Sequence, residues 1–141
     1  MSPTGGTETI LVVDDDQMVL RLADSMLKRF GYRVITATSG KEALRLFEKS
    51  PDIEVDLALV DLVMPEMSGV ELAERIHKLR PGLPVLHFSS YSEDDSLRPT
   101  FAKGVPFIAK PFTSLQLTKK IREMLDKPKV DADSKADEET A

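Results

Sequence analysis

The sequence predicts an α/β domain, a doubly wound five-stranded parallel sheet, and three observations predict it. Short runs rich in Val, Ile and Leu alternate with stretches whose apolar residues recur at helical spacing. The intervening stretches, ~10–14 residues of helix each, suit crossovers between parallel strands. The apolar runs also lack strict in–out alternation, as strands covered on both faces must.

Each element follows in turn. Ile10-Leu11-Val12-Val13 is the first strand and ends in three aspartates. Val19, Leu22, Ala23, Met26, Leu27 and Phe30 then share one helix face, stopped by Gly31. Residues 32–37 read as the second strand. Ser39 and Glu42 have capping-box spacing and open a helix with Ala43, Leu44 and Phe47 inward. Residues 55–60 form the third strand, again ending at an aspartate, Asp61. Ser68 and Glu71 make another capping box, with Leu72, Ile76 and Leu79 inward before Pro81. Residues 84–88 and 105–109 are the fourth and fifth strands. Thr113 and Gln116 open the last helix, which buries Leu117, Ile121, Met124 and Leu125. A further helix belongs at 93–103, but Pro99 removes a hydrogen bond and clashes with the preceding turn. That fourth helix is expected to be short, displaced or absent. Five strand–helix units give the flavodoxin-like strand order 2-1-3-4-5.

Composition narrows the function. A length of 141 residues is one domain's worth. Residues 1–7 read as a flexible lead-in and 8–126 as the domain. Residues 127–141 carry three Lys, five acidic residues and one large apolar side chain, Val130, and are expected to be disordered. The absence of Cys excludes disulfides, thiolate zinc sites and cysteine nucleophiles. Nineteen basic against 24 acidic residues give −5, the wrong sign for nucleic acid or an anionic membrane. No apolar run approaches the ~20 residues of a membrane span, and residues 1–9 lack a basic-then-apolar signal. A cytoplasmic location is expected.

In open parallel sheets, ligands bind beyond the carboxyl ends of the strands. There the first strand delivers Asp14, Asp15 and Asp16, the third Asp61, the fourth Ser89 and Ser90, and the fifth Lys110. Asp16 reads as the cap of the following helix. Asp14, Asp15 and Asp61 would crowd three negative charges into one crevice, which a divalent cation and Lys110 would offset. Oxygen-only ligands with waters suit Mg²⁺ better than Zn²⁺. A carboxylate nucleophile beside Mg²⁺ is what aspartyl-phosphate chemistry needs. The ammonium and a Ser89 hydroxyl would then stabilise the phosphoryl oxygens.

ILVVDDD at 10–16, DLVMPEMSG at 61–69, the serine closing the fourth strand and KPF at 110–112 together resemble the receiver domain of bacterial two-component response regulators. The resemblance covers residues 8–126. It implies that Asp61 is the phospho-acceptor and that Asp14 and Asp15 form the acidic metal pocket, Asp15 as direct ligand. The backbone carbonyl of Val63 would supply another ligand and Lys110 would pair with the phosphoryl group. The Lys110–Pro111 peptide is then expected to be cis. Ser89 becomes the switch hydroxyl, Phe107 the aromatic that changes rotamer, and Gly69 a structural residue of the loop after Asp61. The implied partner is a sensor histidine kinase or a phosphotransfer domain, with a downstream protein partner that the sequence does not name. Such a domain is a signalling switch rather than an enzyme, beyond self-phosphorylation from small donors and autodephosphorylation. Residues 6–16 and 104–113 are most similar to receivers attached to hybrid sensor histidine kinases. With the 93–103 helix in doubt, recognition would fall on the last helix and fifth strand, or on the first helix. Val63 and Tyr91 occupy positions that tune dephosphorylation in such domains.

Two alternatives stand beside this reading. One is a haloacid-dehalogenase-like phosphatase using Asp14 and Asp16, although Gln17-Met18 replaces that family's glycine and threonine and Asp61 is left unexplained. The other is a receiver-like interaction module that is never phosphorylated. His77 and His87 lack acidic neighbours at ligand spacing and read as structural, and Met64 and Met67 as packing residues.

Overall fold

Strands and helices alternate through the described residues as far as Ser90. The structure, a computed structural model, describes residues 6–90, 107–110 and 112–126. In order they form β1 (Thr9–Val13), α1 (Gln17–Arg29), β2 (Arg33–Ala37), α2 (Gly40–Lys49), β3 (Leu57–Asp61) and α3 (Gly69–Leu79). Then come β4 (Val85–Ser90), β5 (Phe107–Lys110) and the last helix, here α4 (Ser114–Asp126). The 93–103 segment, Tyr91, the Lys110–Pro111 peptide and the 127–141 tail lie outside the described residues, as do the side chains of Ser89 and Lys110.

All five strands are parallel, in the order β2-β1-β3-β4-β5 that the crossover pattern predicts. Side chains alternate across the sheet, so each strand feeds two cores. Leu11, Val13, Ala58, Val60 and Val85 pack with Ala43, Phe47, Leu72 and Ile76 of α2 and α3. Ile10, Val12, Leu57, Leu59, Leu86 and Phe88 pack with Leu20, Ala23, Leu27, Leu117 and Ile121 of α1 and α4. Double coverage is why these strands read as unbroken apolar runs.

The helix starts are set by side-chain caps. Asp16 Oδ1 accepts the Met18 N–H at 2.9 Å, opening α1. Ser39 Oγ accepts from Glu42 N–H at 3.0 Å, while the Glu42 carboxylate turns back to the Thr38 N–H and hydroxyl. Thr113 and Gln116 form the full reciprocal box at 2.9 and 3.0 Å. Ser68 caps α3, but Glu71 pairs with Arg75 instead of returning to Ser68.

Two helical faces differ from the periodic reading. Leu22 is 51% exposed and Leu20 fills the seam instead, because α1 buries the narrower stripe Leu20, Ala23 and Leu27. Leu79, the last residue of α3, is 45% exposed. Strand β3 also begins at Leu57 rather than Val55. Asp56 precedes it with a two-way bond to Thr9, main chain one way and carboxylate the other, both 2.8 Å.

At the amino ends of the strands, Arg122 of α4 binds Glu8 through two bonds of 3.0 and 2.7 Å and also reaches Asp126 and Tyr32. Arg122 holds the Glu8 carboxyl below its usual range. Gly6 donates to the Phe30 carbonyl at 3.0 Å, so this end of the chain is tied to the turn after α1.

His87 on β4 is 3% exposed, with Nδ1 3.2 Å from the Val60 carbonyl. A carbonyl only accepts, so Nδ1 carries the proton. Burial pushes this imidazole below its ordinary value of 6.5, against the opposing hydrogen bond to Val60. The unfolded chain therefore takes up this proton at higher pH than the folded one. Stability is complete above about pH 6.5 and falls as pH drops, at up to about 1.4 kcal/mol per pH unit. Urea denaturation from pH 7.5 to 5 should show that slope, and His87→Met should flatten it. An unchanged slope in the variant would assign the effect to another group.

Candidate functional site

Register alone brings the first acidic residues together. Val13 of β1 lies beside Val60 of β3, so the next residues, Asp14 and Asp61, emerge from neighbouring strands on one rim. One carboxylate oxygen from each of Asp14, Asp15 and Asp61 lies within 4.8 Å of the other two. Asp14 is fully buried and Asp61 is 5% exposed, whereas Asp15 faces solvent. The Asp14 N–H continues the ladder to the Ala37 carbonyl at 3.2 Å, and its Oδ1 accepts the Asp16 N–H at 2.8 Å. Three consecutive aspartates thus take three roles: a buried oriented carboxylate, an exposed one, and a helix cap.

The loop after Asp61 is tied where it leaves the sheet and where it enters α3. Leu62 N–H donates to the Phe88 carbonyl at 3.0 Å, and Gly69 N–H to the Leu62 carbonyl at 2.9 Å. A Cβ on Gly69 would stand 2.1 Å from the Asp61 carbonyl oxygen, so only glycine permits this approach. Between the ties, Met67 N–H donates to the Pro65 carbonyl at 2.7 Å across Glu66, whose φ is 72°. That is a γ-turn of the rarer, strained hand. Val63 lies between Leu62 and this turn, with its side chain 55% exposed.

Strands β4 and β5 bring the backbones of Ser89 and Lys110 to the same rim, with Ser89 beside Ala109 and Ser90 beside Lys110. Phe107 is half-buried and sits next to His87 in the register. Phe112 had no assigned role in the sequence reading. It is buried against Phe88, ring centroids 5.8 Å apart, and anchors the chain just beyond Lys110. Its apolar place after Lys-Pro was the available signal.

The donor set fits a hard divalent cation: three carboxylates, oxygen only, two of them fixed in the sheet rim. Asp16, the second carboxylate of the phosphatase reading, accepts the Met18 N–H as the cap of α1 and is not one of the three grouped carboxylates.

Comparison with known proteins agrees with this geometry. The response regulator receiver domain family matches residues 10–122, and the chain belongs to that family. Sensor kinase CckA of Brucella abortus is 37% identical over 128 residues, covering 86% of this chain and 13% of that protein. The chain spans half or less of the length of two transcriptional regulatory proteins that it also matches, YbdJ of Bacillus subtilis and GlrR of Escherichia coli. Among solved structures, a CheY-like receiver domain from Methanospirillum hungatei superposes with TM-score 0.73 at 34% identity, over 86% of this chain and 95% of that one. Response regulator TrrA of Thermotoga maritima, solved in complex with Mg²⁺-BeF, gives 0.71 at 28% identity, over 84% and 99%. The chain is therefore a two-component receiver domain, a signalling switch.

Gly69→Ala forces a methyl into backbone that cannot swing aside, and should cost about 1–3 kcal/mol in chemical denaturation. Gly82→Ala is the control: φ is +90° but a Cβ there meets nothing within 4 Å, so only backbone strain of about 1 kcal/mol applies. Equal losses in the two variants would remove the steric account of Gly69.

Proposed function

We propose that Asp61 accepts a phosphoryl group from the phosphohistidine of a sensor histidine kinase or phosphotransfer domain, in a Mg²⁺-dependent reaction. The observation that carries this is the convergence of Asp14, Asp15 and Asp61 within 4.8 Å, with Asp61 ending the central strand β3. Asp14, Asp15, Asp61 and the Val63 carbonyl would hold the ion. When bound, Mg²⁺ offsets the negative charge of the carboxylates and of the phosphoryl oxygens.

A carboxylate oxygen of Asp61 attacks phosphorus as the P–N bond breaks. The bonding pair returns to the donor imidazole, which leaves neutral after taking a proton, and an acyl phosphate remains on Asp61. Buried Asp14 cannot turn freely, because the Asp16 N–H holds its Oδ1. Lys110 offsets charge on the phosphoryl oxygens and Ser89 donates a hydroxyl hydrogen bond to one of them. Ser89 moves toward the new oxygens and Phe107 turns into the space it leaves, which alters a partner-binding face. The same pocket would support labelling by small donors and slow hydrolysis of the product. The domain works in the cytoplasm, either free-standing or as part of a hybrid kinase, the latter supported by the likeness to sensor kinase CckA. No helix among the described residues is long and apolar enough to cross a membrane.

Acetyl phosphate with Mg²⁺ should add one phosphoryl group by intact mass, and chelation of Mg²⁺ should prevent it. Asp61→Asn should abolish the adduct while circular dichroism stays near native, since one carboxylate has left a repulsive group. Labelling that persists in Asp61→Asn would move the acceptor elsewhere, and an adduct mapped to Asp14 would restore the phosphatase reading.

A further inference from the structure

We infer that Met67, seated against Gly40, is a positioning residue that sets the separation between the loop after Asp61 and the strand end bearing Asp14. The inference rests on the metal-site reading above and concerns what holds that site in shape. The loop leaves the sheet at Leu62 and rejoins α3 at Gly69; both ties lie at its base. Its outer part is the strained turn at Glu66, and strained backbone persists only where its surroundings over-determine it. Met67, the next residue, supplies a brace. A Cβ on Gly40 would lie 2.7 Å from the Met67 sulfur, 3.4 Å from its Cγ and 3.5 Å from its Cβ, so the side chain occupies the space a methyl would take. Met67 is half-buried against the core layer of α2 and α3.

The other side of the contact is fixed independently. Gly40 begins α2, whose first turn is held by Ser39 on Glu42 N–H and by Glu42 on Thr38. Ala37, one residue earlier, accepts the Asp14 N–H at 3.2 Å. A short, hydrogen-bonded path therefore runs from Asp14 to Gly40, and the Met67 contact closes it onto the loop that carries Val63. The glycine is used for room rather than for backbone freedom, because its φ is not positive as those of Gly31 and Gly82 are. A glycine inside a helix is worse than alanine, so its presence marks the slot it leaves open.

Calorimetric titration of the full 141-residue chain with MgCl₂ tests this, alongside thermal melts of the same proteins without Mg²⁺. Gly40→Ala should weaken Mg²⁺ binding by roughly 10-fold, with a melting temperature unchanged or raised because alanine favours the helix. Met67→Ala should weaken binding comparably, Met67→Leu should retain it by refilling the slot, and the double Ala variant should be no weaker than the worse single one. With acetyl phosphate, Gly40→Ala should need more Mg²⁺ for half-maximal rate yet approach the wild-type rate at saturation. Unchanged Mg²⁺ affinity in both single variants would overturn the inference, as would affinity losses that merely track losses of stability. Wild-type protein that binds no Mg²⁺ would overturn the metal-site reading and this inference with it.

Discussion

The site depends on keeping three carboxylates close together, and the rest of the fold is arranged to hold them there. Like charges within 4.8 Å, two of them buried, repel one another, and an unconstrained chain would move them apart. Here the separation is fixed by register, because Val13 beside Val60 leaves Asp14 and Asp61 no freedom along their strands. The Asp16 N–H fixes the Asp14 carboxylate, and the close approach of Gly69 to the Asp61 carbonyl fixes the chain beyond Asp61. A site held in this way gains most from a cation, and its charge would change further with the phosphoryl transfer proposed for Asp61. A local charge event can then tip a packed two-state element such as the one proposed for Ser89 and Phe107.

Stabilising interactions sit at the other end of the sheet. Arg122 clasps Glu8, Asp126 and Tyr32 at the amino ends of the strands, away from the carboxylates at their carboxyl ends. Only 18% of the Arg122 side chain and 28% of Glu8 are exposed, so this pair is shielded better than an ordinary surface bridge. The Asp126 arm is largely exposed and contributes orientation more than energy. Arg80 makes a second clamp, donating 2.8 Å bonds to the Ile53 and Pro51 carbonyls while its guanidinium lies over Phe47. It fastens the α2–β3 connection to the end of α3.

The strand order, the two-sided cores and the helix starts were legible because their signals are local: apolar runs, helical spacing and the Ser-x-x-Glu pattern. The acidic group was legible too, since strand ends in a parallel sheet share one rim. What escaped depends on contacts distant in sequence. Which face of α1 turns inward is set by β2 and α4, so periodicity alone chose Leu22 where the structure buries Leu20. Arg122 lies 114 residues from Glu8, so no local pattern announces their pairing. Nothing local marks Gly40 or Phe112 as contact residues; their contacts with Met67 and Phe88 join elements distant in sequence. Thr118 breaks the apolar pattern of α4 yet is fully buried, because its hydroxyl returns to the Ser114 carbonyl at 2.8 Å.

The central claim is that Asp14, Asp15 and Asp61 form one cation-requiring pocket. Thermal unfolding in increasing MgCl₂, against NaCl of equal ionic strength, tests it most directly. A ligand that binds only the folded state stabilises it by RT ln(1 + [L]/Kd), about 2.7 kcal/mol at a hundredfold excess over Kd. Mg²⁺ should raise the melting temperature beyond the NaCl control, and Asp14→Asn and Asp15→Asn should each suppress most of the gain. A wild-type protein that responds to Mg²⁺ only as it does to NaCl would contradict it.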